Sequence, residues 1–369
     1  MKILLLVTGG RGGADFFQGL LDEHTQILQF PGDLHQSHEN IFQVLSLKKP
    51  DEIANKFINT FPHFFNSKLN KLERHHNLGP KRNKFYKLSK KKFTHFFIQN
   101  FKKKKKMNKI DIMINLHLAY DLAKGKSIKK KKVILIHTHL IDFTKKFIEF
   151  VGLKNITIIH TIRNPLAAIN SPVKNWLKYE RGKNFFPKNL YFQLDLAFQG
   201  INELTKLRKK IFIIQMEKLH WDHKKVMTNF CKIFKIKYEK CLEKSTYFGL
   251  QWWGDQISKR WVSGINKNFK INIDKKFFFE RDIKFFENLG HDLIKFYKYE
   301  FIFKNSIKNN FNILPMKCEI LVWKNTFKHK KIKHILSIPY FYLKRIFLIN
   351  KYVINIKQLP YSVGSNKNE

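Results

Sequence analysis

Two groups of residues in this 369-residue chain have types and spacings suited to holding an anion. The first is the loop Thr8-Gly9-Gly10-Arg11-Gly12-Gly13-Ala14-Asp15. Glycines let a backbone approach an anion closely and adopt positive φ. A helix starting after the loop would offer free N–H groups and the positive end of its dipole. Arg11 adds a permanent charge that can grip two oxygens at once. The second group is Arg163 and Ser171, eight residues apart. A cation and a hydroxyl so placed could hold a second phosphate. The bland alternatives are a glycine turn, an Arg163 paired with a carboxylate, and a serine on a helix surface.

The glycine loop fits neither standard phosphate pattern. A nucleotide triphosphatase loop ends in Gly-Lys-Ser or Gly-Lys-Thr, and no such pair follows. A dinucleotide fingerprint needs a third glycine where Asp15 stands. A further pair, His137 and His139, shares one face of a short apolar run. It could serve packing or hydrogen bonding, and the sequence offers no obvious third ligand, so no metal is expected.

Elements must position these groups. Residues 3–8 read as a buried strand, and Phe16, Phe17, Leu20 and Leu21 recur at helical spacing after the loop. Residues 27–30 suggest a second strand, stopped by Pro31-Gly32. Residues 133–136 form a strand ending at His137, and 156–159 a strand leading to Arg163. Residues 211–214 form another. Helical stretches are expected over 110–122, 141–151, 166–176 and 188–208. Strands alternating with helices predict an α/β fold, a three-layer sandwich around a mainly parallel sheet. Arg163 would then lie at the carboxyl edge, where such folds place ligands. The expected organisation is one α/β domain over residues 1–300, with a Lys-rich insertion at about 78–132. A basic, aromatic extension follows over 301–369.

The formal charge is +43, yet of 71 basic residues nine are Arg and 62 are Lys. Nucleic-acid readers favour Arg for bidentate contacts, so this excess argues against nucleic acid as a partner. It reads mainly as solvated lysine faces that also draw in anionic substrates or an anionic membrane surface. Three cysteines without a Cys-x-x-Cys pair suggest neither disulfides nor zinc and fit a reducing, cytoplasmic setting. Lys2 and the five apolar residues after it are too short for a secretory signal. No run of about 18 apolar residues predicts a membrane span. Residues 335–356 mix Phe, Tyr, Ile and Leu with Lys and Arg. They read as a helix packed on the domain or, alternatively, as a stretch in peripheral contact with a membrane.

The loop with Leu20-Leu21-Asp22-Glu23-His24 resembles the 5'-phosphosulfate loop of sulfotransferases, whose pattern is Gly-x-x-Arg-Ser-Gly-Thr-Thr followed by Leu-Leu-Asp-x-His. Arg163-Asn164-Pro165 with Ser171 resembles that family's 3'-phosphate motif. Glu217-Lys218-Leu219 is similar to its Tyr-Glu-x-Leu, and His137-Thr138-His139-Leu140 to the Lys-Thr-His-Leu of cytosolic members. The four motifs occur in the family's order over residues 3–220.

This resemblance implies a P-loop-type sulfotransferase fold and 3'-phosphoadenosine 5'-phosphosulfate as donor. A sulfuryl group would pass in line to a hydroxyl or amine of a saccharide, lipid or small molecule. Gly10, Arg11, Gly12, Gly13, Ala14, Asp15 and Phe16 would hold the 5'-phosphosulfate. Arg163 and Ser171 would hold the 3'-phosphate, Arg11 would stabilise the leaving oxygen, and His139 would be the general base. Asp33, His35 and Glu39 are acidic or basic stand-ins for that base. Ala14 and Asp15 replace the family's two threonines, and Asp15 brings a negative charge toward an anionic donor. It could instead pair with Arg11 or a lysine, or cap the helix. Residues 252–264, with Trp252, Trp253, Lys259 and Arg260, are a candidate cap over the nucleotide. The rivals are another nucleotide-dependent phosphotransferase and a non-enzymatic protein with a degenerate loop and a basic surface.

Overall fold

The computed structural model describes residues 1–9, 11–34, 40–104, 106–152, 154, 156–178, 185–207, 209–256, 261–271, 273–303, 313–348 and 360–363. Gly10, His35, Glu39, Lys259 and Arg260 lie outside them.

Five strands build one parallel sheet: β1 (Lys2–Thr8), β2 (Ile27–Gln29), β3 (Val133–Thr138), β4 (Ile156–Ile162) and β5 (Lys210–Gln215). Their order is β2-β3-β1-β4-β5, so β1 is central. Leu6 stands opposite both His137 of β3 and Ile159 of β4. Apolar runs without polar alternation mark strands covered on both faces. Accordingly Leu5 and Val7 enter one core with Ile134 and Ile136. Leu4 and Leu6 enter the other with Val133 and Leu135. Helices cover both faces, giving the expected three layers.

The predicted helices lie within a few residues of their expected bounds, that over 141–151 at the expected ones. They span Lys109–Ala123, Ile141–Val151, Pro165–Lys178 and Pro187–Thr205. Within the lysine-rich stretch, helix Lys90–Lys102 buries Phe93 and Phe97. They join Leu5 and Val7 in one core, so this segment supports the sheet while its lysines face solvent. The chain's end returns to the sheet: Val363 N–H donates to the Ile213 carbonyl at 2.8 Å, beside edge strand β5. Over 332–346 there are two short helices, Ile332–Leu336 and Ile338–Ile346, in place of one long one. Pro339 stands in the first turn of the second helix, where its missing N–H costs nothing. Among the described residues, no helix is long and apolar enough to cross a membrane.

Candidate functional site

Adjacent strands β1 and β4 send the chain in opposite directions, β1 toward β2 and β4 toward β5. That divergence opens a crevice beyond their carboxyl ends, the usual ligand position in open α/β sheets. The glycine loop leaves β1 there, and Arg163 leaves β4. Thr8 Oγ1 donates to the Thr161 carbonyl at 3.3 Å, tying the two strand ends together. A cleft at this point is lined by Gly9, Gly12, Thr161, Arg163, Ala168 and Tyr299, among others.

Two glycines are required by the packing. A Cβ on Gly12 would lie 2.6 Å from the Thr161 carbonyl oxygen. Gly13 has φ +85°, and its Cβ would meet Met216 Sδ at 2.7 Å. Gly13 starts the short helix Ala14–Leu20 (α1), which has no side-chain cap. Its first amides lack intrahelical partners, as in any helix, and the helix follows the cleft-lining Gly12 after one residue.

The loop 252–256 reaches the glycine loop. Arg11 Nη2 pairs with Asp255 Oδ2 at 2.8 Å. Trp252 Nε1 donates to the Glu73 carbonyl at 2.7 Å, and Trp253 Nε1 to that of Gly79 at 2.7 Å. The following segment brings Phe269 to within 5.4 Å of the Arg163 guanidinium. Phe269 stacks in turn on His220, and His220 on Phe16. Trp252 is buried core material and Trp176 stacks on Phe185, so neither is an open aromatic platform.

Arg163 is held by its neighbours while one of its donors is left over. Glu217 follows β5 and is fully buried. Its Oε1 accepts from the Asn164 N–H at 2.8 Å, and its Oε2 from the Tyr299 hydroxyl at 3.1 Å. Burial pushes the Glu217 carboxyl up, opposed chiefly by the Asn164 hydrogen bond. Arg163 Nε is buried and has no hydrogen-bond partner. Burial weakens Arg163's hold on its proton most, the nearby Glu217 carboxylate opposes this, and the like charge of Arg11 adds a smaller push in the same direction as burial. Two guanidiniums thus repel each other across the cleft, the field an anion between them would relieve. Ser171 lies two turns along helix Pro165–Lys178, half-buried, and does not line the cleft.

On the other side of the glycine loop, β3 ends at the two histidines. His137 is buried, and desolvation lowers its pKa to about 3, so it is neutral. Gln18 Nε2 donates to the Phe30 and Gly32 carbonyls, which leaves Gln18 Oε1 to accept from His137 Nδ1 at 3.1 Å. His139 is one-third exposed, and its Nδ1 stands 3.6 Å from Asp33 Oδ2. Asp15 turns to this side: its Oδ1 is 3.9 Å from His137 Nδ1, while Arg11 takes Asp255 instead. Burial raises the Asp15 carboxyl, and His139 lowers it. Asp15, His137 and His139 each offer a ligand atom, all within 4.8 Å of one another. The candidate third ligand, which the sequence did not reveal, is Asp15, 122 positions before His137.

No protein-family model matches the chain, and no curated protein matches it. Solved structures similar to it include two sulfotransferase domains. One is the sulfotransferase domain from the Synechococcus PCC 7002 olefin synthase, at 15% identity and TM-score 0.40, covering 70% of this chain and 80% of that one. The other is the sulfotransferase domain from the curacin biosynthetic pathway, at 15% identity and TM-score 0.36, covering 74% and 88%. Both are sulfotransferase domains. Neither likeness is close enough to transfer an activity.

Glu73, Glu217 and Asp255 had no signature in the sequence as site residues with these roles. Glu73 is buried with Oε2 unpartnered, and burial, Asp15 and Asp255 hold its carboxyl well above the ordinary range. Glu73 sits in an irregular stretch without periodicity, so no pattern marked it. Glu217 belonged to a recognisable motif, but its hold on the Arg163 turn needed the β4–β5 pairing.

Proposed function

We propose that this chain is a sulfotransferase using 3'-phosphoadenosine 5'-phosphosulfate, with the donor bound across the β1/β4 crevice. The buried, unpartnered Arg163 Nε beside the glycine loop carries this reading. An orphaned guanidinium donor costs free energy unless an anion meets it. A donor with phosphates at both ends suits a cleft flanked by two guanidiniums.

In this reading the amides of Gly12 to Phe16 hold the 5'-phosphosulfate, and Arg163 takes the 3'-phosphate. Arg11 exchanges Asp255 for the donor and stabilises charge on the leaving phosphate oxygen. The acceptor oxygen forms a bond to sulfur as the bond from sulfur to the bridging phosphate oxygen breaks. His139 receives the acceptor's proton. Asp33 lies toward His139 Nδ1, leaving Nε2 for that proton, and stabilises the imidazolium that forms. Such transfer needs mainly positioning and charge stabilisation, which these residues supply.

Calorimetry with adenosine 3',5'-bisphosphate tests the binding half. Wild type should bind, and Arg163→Ala should lose about tenfold or more in affinity. No binding by wild type rejects the donor, and unchanged binding in Arg163→Ala rejects the site. His139→Ala should keep bisphosphate affinity while losing about 10²–10⁴ in kcat on whichever phenol, sugar or alcohol the wild type sulfates.

A further inference from the structure

The two short helices near the chain's end carry an apolar stripe that faces solvent. Ile332, Leu336, Tyr340, Leu343 and Phe347 follow one another at intervals of four, four, three and four residues. That spacing keeps them on one side of a nearly continuous helical run. Their exposures run from 53% at Leu343 to 75% at Leu336. Large apolar side chains exposed together in this way mark an interaction surface.

The stripe is not a loosely docked inner face. The opposite side of the same helices is anchored to the body. Arg345 is buried and makes two hydrogen bonds to Glu319, both at 3.0 Å. Phe341 packs near Tyr191, Leu348 is buried, and His334 stacks on Phe186 at 3.9 Å. The body therefore fixes which face looks outward.

Charge decides what that face would meet. Lys324, Lys328, Lys330, Lys331, Lys333 and Lys344 are exposed around the stripe. Glu319 is the single acidic residue among residues 313–348, and it is buried against Arg345. An apolar row fringed by lysines, with the half-buried Asp195 near Lys344 as a lone counter-charge among the described neighbours, complements an anionic lipid surface. A second copy of the chain would bring the same lysines against themselves. The lysine stems can also lie along the lipid while their ammonium groups stay in water.

We infer that helices Ile332–Leu336 and Ile338–Ile346 dock this protein onto the surface of an anionic bilayer, with Ile332, Leu336, Tyr340, Leu343 and Phe347 entering the headgroup–acyl boundary. The inference is independent of the sulfotransferase reading.

Co-sedimentation with vesicles tests it. One vesicle preparation is pure phosphatidylcholine, and the other contains phosphatidylglycerol. Wild type should partition about tenfold or more better onto the anionic vesicles. A Leu336→Gln/Leu343→Gln variant leaves the net charge unchanged, so it separates insertion from bulk attraction of a basic protein. It should lose about tenfold or more in partitioning while keeping the wild-type melting temperature. Equal binding by wild type and variant overturns the proposal, because charge alone would then explain adhesion. Sedimentation showing a wild-type dimer that the variant abolishes, without vesicle binding, overturns it in favour of self-association. A variant that misfolds is replaced by Tyr340→Ser/Phe347→Ser, judged by the same two criteria.

Discussion

Arg11 and Asp255 form an ion pair at 2.8 Å although 244 residues separate them. The pair joins the loop after β1 to the segment after Trp253. In the proposed function an anionic donor competes with Asp255 for the same guanidinium. Both side chains are partly exposed, at 24% and 16%, so solvent screening keeps the pair modest. Asp255→Asn should therefore tighten adenosine 3',5'-bisphosphate binding by about two- to tenfold, corresponding to about 0.4–1.4 kcal/mol. Titration calorimetry at two salt concentrations reads this directly. Weaker binding in Asp255→Asn would show that Asp255 orients Arg11 for the ligand instead of competing with it.

Glu217 supports the Arg163 turn from below. Its two hydrogen bonds fall to Asn164 N–H and the Tyr299 hydroxyl, both buried. Glu217→Ala leaves those two donors without their acceptor and should destabilise the fold by about 2–4 kcal/mol. Glu217→Gln keeps one carbonyl acceptor and should cost less than Ala. Urea melts of both variants give the ranking. Equal stability of Ala and wild type would remove Glu217 from the support of Arg163.

The parts legible in the sequence were local. A five-residue apolar run followed by glycines announced β1 and its loop, and four-residue runs announced β3, β4 and β5. Arg163 could be placed at a carboxyl edge because its strand precedes it directly. Sheet order, however, is a choice of neighbours, and no short-range pattern encoded that β1 lies between β3 and β4. Every partnership that defines the site crosses this sheet: Arg11 with Asp255, Glu217 with Asn164, Asp33 with His139, and Asp15 with the two histidines. Such pairs leave no periodicity. Exposure of the final apolar stripe was equally hidden, since an amphipathic pattern does not say which face the body claims.

Buried histidines should make the protein acid-sensitive. Desolvation lowers His75 to about 3, and His63, His117, His160 and His220 to about 4. Each folded-state value lies below the unfolded one near 6.5, so the unfolded chain binds more protons between them. Stability from these groups is then full above about pH 6.5. It is lost at about 1.4 kcal/mol per pH unit for each group as pH falls toward the folded value. Glu73 and Glu217 act with the opposite sign, since their carboxyls are raised and their folded forms hold protons longer. His137, at about 3, and the lowered His24 and His223 bring the buried histidines to eight, against five raised carboxyls once Asp15, Glu287 and Glu319 are included, so urea-unfolding free energy should rise from pH 5.5 to 7. A flat or falling profile across that range would contradict their neutral burial.

Zinc should inhibit this protein if His139 works as a free base. Asp15, His137 and His139 present ligand atoms within 4.8 Å of one another. Nitrogen and carboxylate ligands of this kind suit a tetrahedral zinc ion with water in the fourth place. His137 Nδ1 lies against Gln18 Oε1 at 3.1 Å, so a cation at His137 would have to take the buried, unpartnered Nε2. The Nδ1 hydrogen bond to Gln18 is the outer-shell arrangement common to metal-bound histidines. Zinc bound there would occupy His139 and hold Asp15 beside the donor loop, and sulfuryl transfer should fall. Excess chelator should restore it. His137→Ala should shift the inhibitory zinc concentration upward by about tenfold or more, because one of three protein ligands is gone. Turnover measured across a zinc titration, in wild type and His137→Ala, gives the answer. Identical inhibition curves would place the zinc elsewhere, and activation by zinc would reassign His139 from proton acceptor to metal ligand.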